Sequence, residues 1–217
     1  MRRELAVALP IGLVIVLAIS SDALRARAHR AHTSAQRYED VYYLPPESWL
    51  PVLSLGHREA LADALWMRAL VYFGDELTHG GGVGHAFDYA DAIQTLDPRF
   101  RAVYHWIGMA ALYHPGDVPP EDIERAVEFM ERGARIFPDD GPLAWDIGAT
   151  LVFELAPRLE DRHAKRSAQE RGAEYLVAAA RRGAAPDWAV LSNASLLSRV
   201  GRAEQAARHL EEMYLAV

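Results

Sequence analysis

The chain has 217 residues, no cysteine, 51% hydrophobic residues and a formal charge of −7. That length fits one ordinary domain with an appendage, and the apolar content excludes wholesale disorder. Without cysteine there are no disulfides, thiolate zinc sites or iron–sulfur clusters, and the redox compartment is left open. Charge is unevenly placed: residues 1–40 hold six Arg against four acidic residues, which leaves −9 on residues 41–217. An acidic body argues against nucleic acid as the main ligand, because phosphate recognition needs a basic surface.

Residues 5–21 (LAVALPIGLVIVLAISS) carry no charge and follow Arg2 and Arg3. At about 1.5 Å rise per residue such a helix reaches roughly 25 Å, the short end of a bilayer span. The expectation for residues 1–21 is a transmembrane or signal-anchor helix. A signal peptide cleaved near Ala18-Ile19-Ser20 and a buried helix are the alternatives. Arg25, Arg27, Arg30 and Arg37 follow the run, and flanking charge alone would hold the remainder in the cytoplasm. A basic start, an apolar run and a long downstream body is nevertheless the layout of exported, signal-anchored proteins. The expected location is therefore the inner membrane, single-pass, with the body in the periplasm; a cytoplasm-facing body is the alternative.

Residues 22–56 read as a juxtamembrane stalk and a linker. Residues 22–37 are rich in Ala and Arg and suit a helix whose guanidinium groups lie near lipid headgroups. His29 and His32 share one face of it with no carboxylate beside them, so a solvated pair is expected rather than a metal site. Residues 38–50 (YEDVYYLPPESWL) break helix at Pro45-Pro46 yet are too apolar for a free linker. They are expected to pack against the first helical pair or against a partner.

Helical periodicity dominates the remainder of the chain. Residues 53–77 form the strongest pattern, with Leu61, Ala64, Leu65, Ala69, Val71 and Tyr72 near a 3.6-residue spacing and Trp66, Leu70 and Phe73 widening the stripe. Further helices are expected over residues 86–96, 100–113, 121–136, 142–155, 161–182, 187–199 and 202–217. Asp97-Pro98, Pro138 and Ala185-Pro186 close three of them. Asp139-Asp140-Gly141 is a turn that caps the next helix, where acidic side chains suit the N-terminal amides. Arg162, Lys165, Arg166 and Arg171 alternate with Glu160, Asp161, Glu170 and Glu174, the pattern of a solvated face.

Between residues 104 and 148 the chain reads Tyr104-x-x-Ile107-Gly108, then Ala126-x-x-x-Met130, then Pro138, then Ala144-x-x-Ile147-Gly148. This resembles the tetratricopeptide repeat, whose signature is W-x2-L-G-x2-Y, A-x3-F and a closing P at a period of about 34 residues. Ala194 and Ala206 continue the likeness in the last pair, while the third pair has Glu174 where a small residue belongs. The resemblance implies an all-α fold: about four helical hairpins over residues 57–217, stacked into a right-handed superhelix. Other α-helical repeats are the alternative family.

A catalytic constellation is not legible. His79-Gly-Gly-Gly-Val-Gly-His85 lacks the Gly-Lys-Ser/Thr of a phosphate loop, and no Gly-x-Ser-x-Gly elbow accompanies it. It reads as an inter-helix turn; a metal bridged by His79 and His85, in an enzyme built on the repeat, is the alternative. No catalytic residue, cofactor or metal is expected, and no small-molecule substrate. The resemblance implies instead that the leading helices line a concave groove for another protein. From one helix it places His105, Met109, Leu112 and Tyr113 there, from the next Trp145, Ala149, Val152 and Phe153, and from the last Trp188, Leu191 and Ser195. The alternative is that several of these are inter-repeat core. An apolar, aromatic groove suits an amphipathic helix or an extended apolar peptide. The expected function is a membrane-anchored, non-catalytic scaffold in a bacterial envelope complex, or an accessory subunit of one.

Overall fold

The structure, a computed structural model, describes residues 44–79, 84–113 and 118–215. The apolar run 5–21, the stalk with His29 and His32, and residues 80–83 of the Gly-rich turn lie outside the described residues. Among the described residues no helix is long and apolar enough to cross a membrane.

Among the described residues the fold is all-α, without a strand. A 3-10 turn (Glu47–Trp49) leads into a short α1 (Leu50–Leu53). Next in the chain come α2 (Arg58–His79), α3 (Gly84–Leu96), α4 (Arg101–Leu112), α5 (Pro120–Ile136) and α6 (Gly141–Ala149). The α6 helix runs on as a π-helical segment (Thr150–Leu155) and a last turn (Ala156–Arg158). Three more helices close the fold: α7 (Arg162–Arg181), α8 (Asp187–Arg199) and α9 (Ala203–Leu215). They pack as hairpins α2–α3, α4–α5, α6–α7 and α8–α9, and each hairpin touches the next.

Local chemistry explains the boundaries. Pro120 opens α5 where its missing N–H would have no partner, and Glu121 and Asp122 face the positive end of the helix dipole. Ile123, Ala126, Val127 and Met130 of α5 are buried at the 3-and-4 spacing that one helical face requires. The helix ends at Ile136, two residues before Pro138.

Two expectations are corrected. The helix predicted over residues 53–77 is interrupted at Ser54, Leu55 and Gly56, with φ of 50° at Leu55 and 89° at Gly56. Leu50 of α1 is buried and α1 packs on α3, so the apolar residues before the break serve a different contact from those after it. Within α2, Ala64 and Val71 are exposed, and the buried stripe is Ala62, Ala69, Tyr72 and Phe73. Aromatic packing decides between the two apolar faces of this helix. Trp66 stands 5.4 Å from Trp106 and 5.6 Å from Phe100, and Phe73 stands 5.8 Å from Trp106.

The second correction concerns the third hairpin. Its small residue is Gly172, not position 174. A methyl built on Gly172 would lie 2.6 Å from Val152 Cγ2 and 3.1 Å from the Gly148 carbonyl oxygen. One built on Gly148 would lie 2.7 Å from Leu176 Cγ and 2.9 Å from the Gly172 carbonyl oxygen. Glu174 instead faces outward and pairs with Arg202. The acidic and basic run of α7 is thus more than a solvated face, since Arg171 reaches Glu131 of α5 at 2.7 Å and Arg166 donates to the Val200 carbonyl at 3.0 Å.

Gly148→Ala is expected to cost about 1–3 kcal/mol in urea unfolding, because backbone atoms crowd the new methyl. Gly108→Ala should cost less, its nearest neighbour being the flexible Met130 side chain. Gly74→Ala, with nothing within 4 Å, should instead stabilise by about 0.5–1 kcal/mol.

Candidate functional site

The site forms along the first helices of successive hairpins, α4, α6 and α8. One carboxylate launches the middle helix and ties it to its neighbour. Asp140, its side chain only 3% exposed, caps α6 by accepting the Leu143 N–H at 3.1 Å. The same carboxylate takes two hydrogen bonds from the Arg101 guanidinium of α4, one of them at 2.8 Å. His105, one turn along α4, sets Nδ1 2.8 Å from Asp146 and Nε2 3.4 Å from Asp140. Its pKa is raised, chiefly by the hydrogen bond to Asp146; burial opposes this and the Asp140 charge adds to it. For Asp140, burial pushes upward, but Arg101, the Leu143 N–H and His105 together hold the carboxyl below its ordinary range.

Beyond Ala149 the helix widens. The Ala156 N–H bonds the Leu151 carbonyl, five residues back, which is π geometry. Pro157 accounts for it: a proline there has no N–H for the Phe153 carbonyl, and its ring would clash with that carbonyl in a continuing α-helix. Arg158 closes the segment by donating to the Glu154 carbonyl at 2.6 Å and to its carboxylate at 2.8 Å.

This widened segment carries Phe153 between two depressions and Val152 in the wall of one of them. The larger, of about 440 Å³, is walled by Trp145, Val152, Phe153, Trp188 and Leu191 over a floor that includes Leu176. The smaller, of about 250 Å³, is lined by His105, Met109, Leu112, Tyr113, Ala149 and Phe153. The nine residues His105, Met109, Leu112, Tyr113, Trp145, Val152, Phe153, Trp188 and Leu191 therefore line two neighbouring depressions that share Phe153. Met109, Tyr113, Phe153, Trp188 and Leu191 are exposed, Phe153 by 48% and Leu191 by 71%. His105, Leu112, Trp145 and Val152 are half-buried, and Trp145 and Val152 also pack on the core of the last two hairpins. Trp145 and Trp188 meet edge to face at 5.9 Å across the larger depression.

Two polar residues of this site have no sequence signal. Asn193, 3% exposed, lines the larger depression and its Oδ1 accepts no hydrogen bond among the described residues. Arg199 is exposed at the rim of the same depression. Among the described residues no group of three or more His, Asp or Glu is placed to hold a metal. His85 sets Nδ1 3.0 Å from Asp88, while the His79 side chain lies outside what is described.

Comparison with protein-family models, with curated proteins and with solved structures finds no match to this chain in any of the three.

Two outcomes are expected for this region. The His105 pKa is higher folded than unfolded, so its contribution is complete below the ordinary value of about 6.5 and is lost as pH rises through the folded value. His105→Ala should accordingly cost more stability at mildly acidic than at alkaline pH, read from urea midpoints, with the imidazole titrating above its ordinary range by NMR. Pro157→Ala returns a donor to the Phe153 carbonyl. It should raise the melting temperature and shift the chemical environment of Phe153 while leaving that of Tyr104 unchanged.

Proposed function

We propose that the chain is a membrane-anchored, non-catalytic helical-repeat scaffold, tetratricopeptide-like in its stacking, that holds an apolar segment of another protein in an envelope complex. The observation that carries this reading is the continuous row of exposed apolar side chains from Tyr113 and Met109 through Phe153 to Trp188 and Leu191. Such a row costs solubility unless it is covered, and aromatic residues set in depressions are the composition of interface hot spots. Arg199 offers the occupant a cation at the rim. The superhelical stacking, the anchor at residues 5–21 and the periplasmic placement belong to the same proposal.

A second reading, a constitutive subunit of a larger membrane complex, has its own support. Met67, Leu70, Val71 and Leu77 of α2 are exposed as well, which gives the first hairpin an apolar surface of its own.

The test is affinity recovery of the tagged full chain from detergent extract. The scaffold reading expects a stoichiometric partner whose affinity falls about thirtyfold in Phe153→Asp and in Trp188→Ala, the loss of about 2 kcal/mol expected of a hot spot. Both side chains are largely exposed, so urea midpoints should fall only slightly, Trp188→Ala losing its edge-to-face contact with Trp145. A partner kept by both variants and lost on Val71→Asp favours the subunit reading; no stoichiometric partner at all defeats both.

A further inference from the structure

We propose that residues 49–55 form a tip that seats in the interface of the lipid bilayer. The argument begins with what holds the tip. Leu50 is buried and fixes α1 against α3, which turns the neighbouring side chains outward. Trp49 and Leu53 are exposed, Val52 is 72% exposed and Leu55 is 85% exposed. From Ser48 to Gly56 the sequence SWLPVLSLG contains no charge. Leu55 also sits at φ 50°, a left-handed conformation that disfavours a bulky side chain. A large apolar residue held in both strain and water is better placed once its side chain leaves water.

The backbone of the tip is suited to a lipid cover. Trp49 donates to the Pro46 carbonyl at 2.8 Å, Leu50 to Glu47, Ser54 to Leu50 at 3.0 Å and Leu55 to Val52 at 3.1 Å. His57 donates to the Ser54 carbonyl at 2.7 Å, the Ser54 hydroxyl to the Pro51 carbonyl at 2.8 Å, and Pro51 has no N–H to satisfy. The hydrocarbon just below the headgroups supplies no hydrogen-bonding groups, and these internal bonds let the tip approach it without stranding those backbone groups. Trp beside Leu and Val is also the side-chain set favoured at the lipid–water boundary.

Chain length leaves the bilayer within reach of the tip. The inference rests on reading residues 5–21 as inserted in the membrane. Residues 22–43 then limit Leu44 to within about 75 Å of the span even when fully extended, which raises the effective concentration of the tip at the bilayer.

The chain has no cysteine, so single labels are clean. Leu55→Cys and Val52→Cys carry an environment-sensitive fluorophore, with Glu204→Cys on α9 as the exposed control. Each full-length variant is reconstituted in phosphatidylethanolamine and phosphatidylglycerol vesicles, with or without doxyl-labelled phosphatidylcholine, and floated. The expected result is flotation with blue-shifted emission at 52 and 55, quenched several-fold more by doxyl lipid than at 204. Flotation with water-like emission at 52 and 55 overturns the tip and leaves the anchor standing. Blue-shifted emission that doxyl lipid does not quench also overturns it, because protein then covers these residues. Failure to float removes the anchor and the tip together.

Discussion

The close approach of α6 and α7 at Gly148 and Gly172 sets the rest of the structure. Each glycine faces the carbonyl oxygen of the other, with no room for a methyl on either. That contact seats Leu176 under the larger depression and fixes the rotation of α6, so that Trp145 and Phe153 face outward while Ile147 and Leu151 are buried. At the N-terminal end of α6 the same rotation presents Asp140 to Arg101 and His105. A small residue in one place therefore governs an apolar surface and an ionic junction together.

Much of this was legible because close helix pairing leaves a local signature. Tyr104, Ile107 and Gly108 face Ala126, Met130 and Gly133, and their spacing reports one buried stripe per helix. The partner of Gly148 was less readable. The π segment and the turn after it alter how many residues separate the facing positions, so counting from the expected hairpin reached Glu174 and the contact falls on Gly172. In α2 the apolar residues occupy more than one face, and periodicity alone cannot tell which face Trp106 and Phe100 will select. Asn193 and Arg199 gave no signal at all, since a polar residue on an amphipathic helix looks the same whether it faces water or a depression.

The π segment shows how a local fault becomes a feature. Pro157 denies its helix one hydrogen bond, and the widened turn before it places Phe153 on the ridge between the two depressions and Val152 in the wall of the larger. The departure from regular geometry is confined to a few residues and bracketed by Gly148 on one side and Arg158 on the other. Contacts on both sides hold the ridge in one place.

Ionic links join equivalent helices of neighbouring hairpins throughout. Arg132 of α5 reaches Asp91 of α3 at 2.7 Å, Arg171 of α7 reaches Glu131 of α5 at 2.7 Å, and Arg181 of α7 reaches Glu212 of α9 at 2.7 Å. Each is a surface pair that contributes little by itself. Their arrangement has a consequence for how such a chain can change over time. Every hairpin carries charges matched to one particular neighbour, so the units are not interchangeable beads. Duplicating, excising or shuffling one would strand a carboxylate such as Asp140 beside the wrong side chain.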